Sequence, residues 1–201
     1  MAVFPVFLKL QDRRVLVVGA GPVAAGKVRP LLEAGARVTV VAPDVVPEIA
    51  EMADRVEICR RPFADADLDG VWYVVAAAPP DVNRAVARGA DARRLFVNAV
   101  DDMENATAYL GAIVQRAGVT VALSTDGEAP ALAGLMREAL DTLLPDDLDA
   151  WMACAKESRR EWLARRVPMA ERRPMLLDAL NRIYDARRAA RTGAAQTVPQ
   201  S

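Results

Sequence analysis

Histidine is absent from these 201 residues. That removes the usual general base near neutral pH and the commonest metal ligand. Proton transfer must therefore use carboxylates, hydroxyls, a cofactor or the substrate, and no metal site is expected. Cysteine is almost as scarce: Cys59 and Cys154 stand far apart with no CxxC spacing around either, so no thiolate-held metal is indicated. No apolar run is long enough to cross a bilayer. Val3-Phe4-Pro5-Val6-Phe7-Leu8 is apolar but short, and it lacks the basic lead and cleavage site of a secretory signal. A cytoplasmic location with no membrane partner is expected. Excess charge is lacking too: the formal net charge of −1 gives no global field for nucleic acid.

What is present suits an ordinary folded chain, with 53% hydrophobic and 26% charged residues. The charge is unevenly placed. From Trp151 onward there are 11 Lys and Arg against 5 Asp and Glu, a net of +6, which leaves −7 on the preceding part. An anionic partner is expected for that C-terminal segment.

The first two-thirds alternates between strand and helix. Val15–Val18 is a short continuous apolar run of the kind buried on both faces of a parallel sheet. A helix is expected from Val23 to Ala34, closed by Gly35. Further strands are expected at Val38–Val41, Val56–Cys59, Val71–Val75 and Leu95–Val97, with helices over Val45–Met52 and Val82–Ala90. This order predicts an open parallel sheet with helices on both faces. After Asp101 the pattern changes. Ala108–Val114 and Val119–Ser124 read as a hairpin joined across Gln115–Gly118, and its apolar side chains, including Leu110, Val119 and Val121, need cover from a second subunit or from a helix of the same chain. Pro130 opens a helix to Leu144, and another starts at Pro145-Asp146-Asp147. Pro168 and Pro174 read as breaks, and residues 192–201 as a disordered tail.

Gly19-Ala20-Gly21-Pro22-Val23-Ala24 lies between a buried strand and a helix and has the GxGxxA form. Gly19 permits the tight turn, Gly21 lets backbone approach a pyrophosphate, and Ala24 allows close helix–strand packing. A dinucleotide phosphate would sit on the helix N-terminus. The second strand ends Val41-Ala42-Pro43-Asp44, which offers Asp44 to a ribose hydroxyl. With no Arg or Lys beside it in sequence, NAD is expected rather than NADP. Asp44 is equally suited to cap the helix that follows. Asp101, read alone, is a turn residue closing a strand.

Longer stretches carry a resemblance. Phe4–Leu10, Arg14–Ala24 and Leu32–Pro43 are similar to the opening of the precorrin-2 dehydrogenases, a family that includes the N-terminal module of siroheme synthase. Phe96-Val97-Asn98-Ala99-Val100-Asp101 resembles the family's N-[AV]-V-D motif. Ser124-Thr125-Asp126-Gly127, Ala129-Pro130 and then Arg137-Glu138 resemble its next block. The resemblance is collinear from Val3 to Pro145. One departure is Ala76-Ala77-Ala78-Pro79, where relatives often read A-A-T-D.

The resemblance implies a Rossmann parallel sheet over residues 1–107, a β-hairpin dimerisation region over 108–146 and a C-terminal helical, substrate-covering domain over 147–191. It implies NAD contacts at Pro22, Val23, Pro43 and Asp44, a catalytic carboxylate at Asp101, and a homodimer oxidising precorrin-2 to sirohydrochlorin in siroheme biosynthesis. That substrate carries eight carboxylates, which gives the basic segment a purpose. Arg159 and Arg160, with Arg165, Arg166, Arg172 and Arg173, are clamp candidates, and Arg137 is another from the matched block. Two alternatives stay open: a bifunctional dehydrogenase and sirohydrochlorin ferrochelatase, disfavoured by the missing histidine, and an NAD-sensing regulatory module without turnover. The methyltransferase domain fused to the module in siroheme synthase is not expected in a chain of this length.

Overall fold

The structure, a computed structural model, describes residues 3–195. Its contacts fall into two units. One takes in residues up to Gly111 together with Ser124–Pro130, and the other takes in Ala112–Leu123 and the residues from Ala131 onward.

In the first unit, β1 (Arg14–Val18), β2 (Arg37–Val41), β3 (Val56–Cys59), β4 (Tyr73–Ala76) and β5 (Phe96–Ala99) form one parallel sheet in the order β3-β2-β1-β4-β5. The strand order reverses beside β1, the point at which open α/β sheets leave a crevice at their carboxyl ends. α1 (Pro22–Glu33), the short α2 (Pro47–Ala50) and α3 (Pro80–Ala92) link the strands, with a 3-10 turn over Asp65–Leu68. The continuous valine runs bury both faces. Val15, Val17, Val38, Val40 and Val75 pack with Ala24, Val28 and Leu31 of α1, while Leu16, Val18, Val74, Ala76 and Val97 pack with Val86 and Ala90 of α3. Each buried Val or Leu side chain contributes about 1.5–3 kcal/mol. The expected parallel sheet with helices on both faces is thus present. The helix expected over Val45–Met52 shrinks to Pro47–Ala50, followed by turns.

In the second unit, β6 (Ala112–Arg116) and β7 (Val119–Leu123) form an antiparallel hairpin. The linking pair Ala117 and Gly118 has φ values of +50° and +79°, the left-handed geometry of a two-residue hairpin turn. The hairpin is shorter than the sequence suggests. Thr107 and Ala108 donate their amides to Val97 of β5, so residues 108–111 do not belong to β6. α4 (Pro130–Leu143), α5 (Leu148–Ala164) and α6 (Met169–Ala195) complete the unit. Arg116 caps α4 by donating to the carbonyls of Leu144 and Pro145, as suits a cation at a helix C-terminus. Pro174 does not break α6. It lies near the helix start, where its missing N–H costs only the bond to the Ala170 carbonyl. α6 runs to Ala195, past the start of the expected disordered tail. The remainder of that tail lies outside the described residues.

Candidate functional site

Three loops converge on the carboxyl rim of the sheet. The glycine loop follows β1, Ala77 and Ala78 follow β4, and Asp101 follows β5. β1 and β5 are two strand spacings apart, roughly 10 Å.

The glycine loop is held from both sides. Gly19 N donates to Val41 O at 2.9 Å, Ala77 N donates to Val18 O at 2.8 Å, and Ala20 O accepts from Val46 N at 3.0 Å. Gly19 has φ +101°, and a Cβ there would lie 2.2 Å from Ala77 O, so only glycine fits. Gly21 differs: its φ is −84° and a Cβ would meet nothing within 4 Å. It is the N-cap of α1 and has no capping side chain, so first-turn amides of a twelve-residue helix face the rim without a side-chain acceptor. Pro22 and Val23 are exposed beside it, and Ala24 is buried against the sheet. Open space above a glycine and uncapped amides fit the pyrophosphate of a dinucleotide.

Pro43 and Asp44 lie exposed after β2. The sheet adds what sequence order hides: Val41 pairs with Cys59, and Ala42 N donates to Cys59 O at 3.2 Å. Arg60 and Arg61 therefore leave β3 on the same rim. Arg61 is held by Asp67 through bonds of 2.9 and 2.5 Å. That bond is the main reason the Asp67 carboxyl lies below its ordinary value and the Arg61 guanidinium above its own. Arg60 is exposed and makes no ion pair among the described residues. In the neighbouring Ala77-Ala78 turn, the buried Asn83 of α3 fixes the backbone by accepting from Ala78 N at 3.0 Å. These contacts become visible only once strands β2 and β3, or β4 and α3, are placed side by side.

Asp101 is exposed, with φ +55°. Its neighbour Asp102 is turned into the loop, where its carboxylate accepts from Asn105 N at 3.2 Å and from Asn105 Nδ2 at 2.8 Å. The two adjacent acids thus do different things: Asp102 builds the turn and Asp101 faces solvent. Gly127 packs on the same loop, since a Cβ there would come 2.9 Å from Met103 Cε. Thr125 accepts from Ala129 N at 3.3 Å just before α4.

The candidate arginines belong to the second unit. Arg137, on α4, lies 3.4 Å from Glu138. Arg159 and Arg160 are exposed on α5. Arg172 is engaged within its own unit, where its guanidinium donates to Val167 O at 3.0 and 2.8 Å and closes the turn between α5 and α6. A shallow groove lined by Phe63, Asp65, Arg88 and Arg93 lies at the C-terminal end of α3, away from the rim. Its Arg93 is neutralised by Asp65 and Asp69, and it contributes nothing to the site. Among the described residues, no helix is long and apolar enough to cross a membrane.

The chain is 43% identical over 176 residues to siroheme synthase 3 of Aeromonas hydrophila, covering 86% of this chain and 38% of that protein. It is 46% identical over 148 residues to siroheme synthase of Chromobacterium violaceum, covering 72% of this chain and 32% of that protein. It therefore spans about a third of the length of these relatives. A solved structure titled "SirC, precorrin-2 dehydrogenase" superposes with a TM-score of 0.70 at 27% identity, covering 88% of both chains. The family model described as "Putative NAD(P)-binding" matches residues 6–112. That match takes in the whole parallel sheet and its glycine loop, and the chain belongs to this NAD(P)-binding family.

Proposed function

We propose that the chain is a precorrin-2 dehydrogenase, oxidising precorrin-2 to sirohydrochlorin with NAD in siroheme biosynthesis, as a cytoplasmic homodimer. The observation that carries the reading is Asp101: an exposed carboxylate on the same rim as an uncapped glycine loop, in a chain similar along most of its length to a precorrin-2 dehydrogenase.

The oxidation removes one hydride and one proton from the macrocycle. A bound nicotinamide supplies the hydride acceptor. The protein's part is to bind, orient and take the proton. Amides of the first turn of α1 hold the pyrophosphate, Asp44 hydrogen-bonds the adenosine ribose, and the carboxylate of Asp101 accepts the proton. Arg137, Arg159 and Arg160 meet carboxylates of the substrate. With no histidine in the chain, a carboxylate is the natural base.

Anaerobic incubation with precorrin-2 and NAD, followed by absorption, tests this directly, with sirohydrochlorin the expected product. Asp101→Asn should lower turnover by about 10²–10⁴-fold, the usual cost of losing a general base, while NAD affinity stays unchanged. NAD binding with no turnover by the native chain would favour the regulatory reading instead. Repeating the assay with ferrous or cobaltous ion separates plain dehydrogenation from the bifunctional alternative.

A further inference from the structure

The segment that carries Asp101 leaves the end of β5 and returns to the strand it left. Val97 O accepts from both Thr107 N and Ala108 N, each at 2.9 Å. Two side chains close the loop further. Val97 N donates to Thr107 Oγ1 at 2.9 Å, and Asn98 Nδ2 donates to Ala108 O at 3.1 Å. Within the loop, Asp102 and Asn105 form the turn already described, and Met103 lies against Gly127.

Two features of this loop bear on how it is held. Asp101 has left-handed backbone at φ +55°, a conformation that Asp tolerates as a single turn residue. Asn98 is 7% exposed, and its Oδ1 is buried with no donor among the described residues. An unfilled buried acceptor is destabilising, and turning the amide over would only set Oδ1 against the Ala108 carbonyl. Asn98 therefore keeps its N–H on Ala108 while half its hydrogen-bonding capacity goes unmet. Backbone bonds alone already return the chain to Val97, so the two side chains add rigidity rather than connection.

We propose that Asn98 and Thr107 are positioning residues, a latch that holds the Asp101 loop closed and fixes the carboxylate at the rim. The proposal rests on the reading of Asp101 as the base. Proton transfer is sensitive to placement: a misplacement of about 1 Å can cost roughly 10²-fold in rate.

Thr107→Val keeps the side-chain shape and removes the acceptor, while Thr107→Ser restores it. Thr107→Val should lower kcat about tenfold, within that range, with KM for NAD unchanged. It should also speed amide exchange at Val97 and through residues 101–105, and Thr107→Ser should recover the native values. Asn98→Ala breaks the other bond and should give the same split between kcat and KM, which covers the case of a poorly folding Thr107→Val. A latch acting through Asp101 has one further signature. In an Asp101→Asn background, Thr107→Val should cost no additional activity. Native kcat in folded Thr107→Val and Asn98→Ala, or an undiminished further loss in the Asp101→Asn background, would overturn the latch alone. Full turnover by Asp101→Asn would overturn the base reading, and the latch with it.

Discussion

Asp44 and Arg60 sit on the same rim with opposite charges and opposite preferences for a 2′-phosphate. The sequence shows only Asp44, since a run of residues gives neighbours along the chain and not across a sheet. Pairing of Val41 with Cys59 brings Arg60 to the rim beside the end of β2, where a guanidinium would favour a 2′-phosphate, while Arg61 is tied to Asp67. On the proposed reading, a preference for NAD would rest on repulsion of a 2′-phosphate by Asp44. Charges about 4 Å apart near a surface interact by about 4 kcal/mol. Asp44→Asn should accordingly raise NADP affinity at least about tenfold, a change of only about 1.4 kcal/mol, with NAD affinity much less affected. Titrating both nucleotides into native and variant protein checks this. Equal affinity of the native chain for NAD and NADP would sink it. Asp102 carries a related lesson. From sequence it is an acid beside the candidate base, but in the structure it builds the turn, so Asp102→Asn would perturb the loop and is no neutral control for Asp101.

Among the elements, the inner strands β1, β2 and β4 were legible because each is a short, largely buried run rich in valine, and that signal is local. The β1–α1 turn was legible for the same reason, but its two glycines do different work. At Gly19 a neighbouring carbonyl occupies the space a Cβ needs, so Gly19→Ala should destabilise the fold by several kcal/mol, as overpacking and backbone strain combine. At Gly21 the space is open, so Gly21→Ala should keep a near-native melting temperature and lose NAD affinity. Thermal denaturation beside nucleotide titration distinguishes the two. A Gly21→Ala protein binding NAD normally would mean that the dinucleotide does not approach this loop. The elements misread from sequence were those decided by distant contacts. The hairpin starts at Ala112 because Val97 claims Thr107 and Ala108. The helix after β2 is a single turn, and Pro174 is tolerated inside α6 because it lies near the helix start.

At the scale of the whole molecule, periodicity announces an apolar face but not what covers it. α4 is the clearest case: Leu132, Leu135, Met136 and Leu143 follow helical spacing and are 51%, 65%, 44% and 77% exposed. Ile113 of β6, in the same unit, is 46% exposed. A continuous apolar stripe of this kind on a folded domain marks a contact surface. The Pro130 helix and the hairpin were legible as elements, and so was the hairpin's need for cover, while the apolar stripe on α4 emerges only from the exposures. A two-fold pairing of this unit would bury the stripe against its own copy, as isologous interfaces do. Sedimentation at micromolar concentration should therefore show a dimer. Leu135→Glu, which places a charge in the middle of the stripe, should shift the protein to monomer without unfolding the parallel-sheet unit. Burying that carboxylate unpaired would cost several kcal/mol, enough to weaken association by a hundredfold or more. A native chain that sediments as a monomer would show that α4 is not a self-association surface.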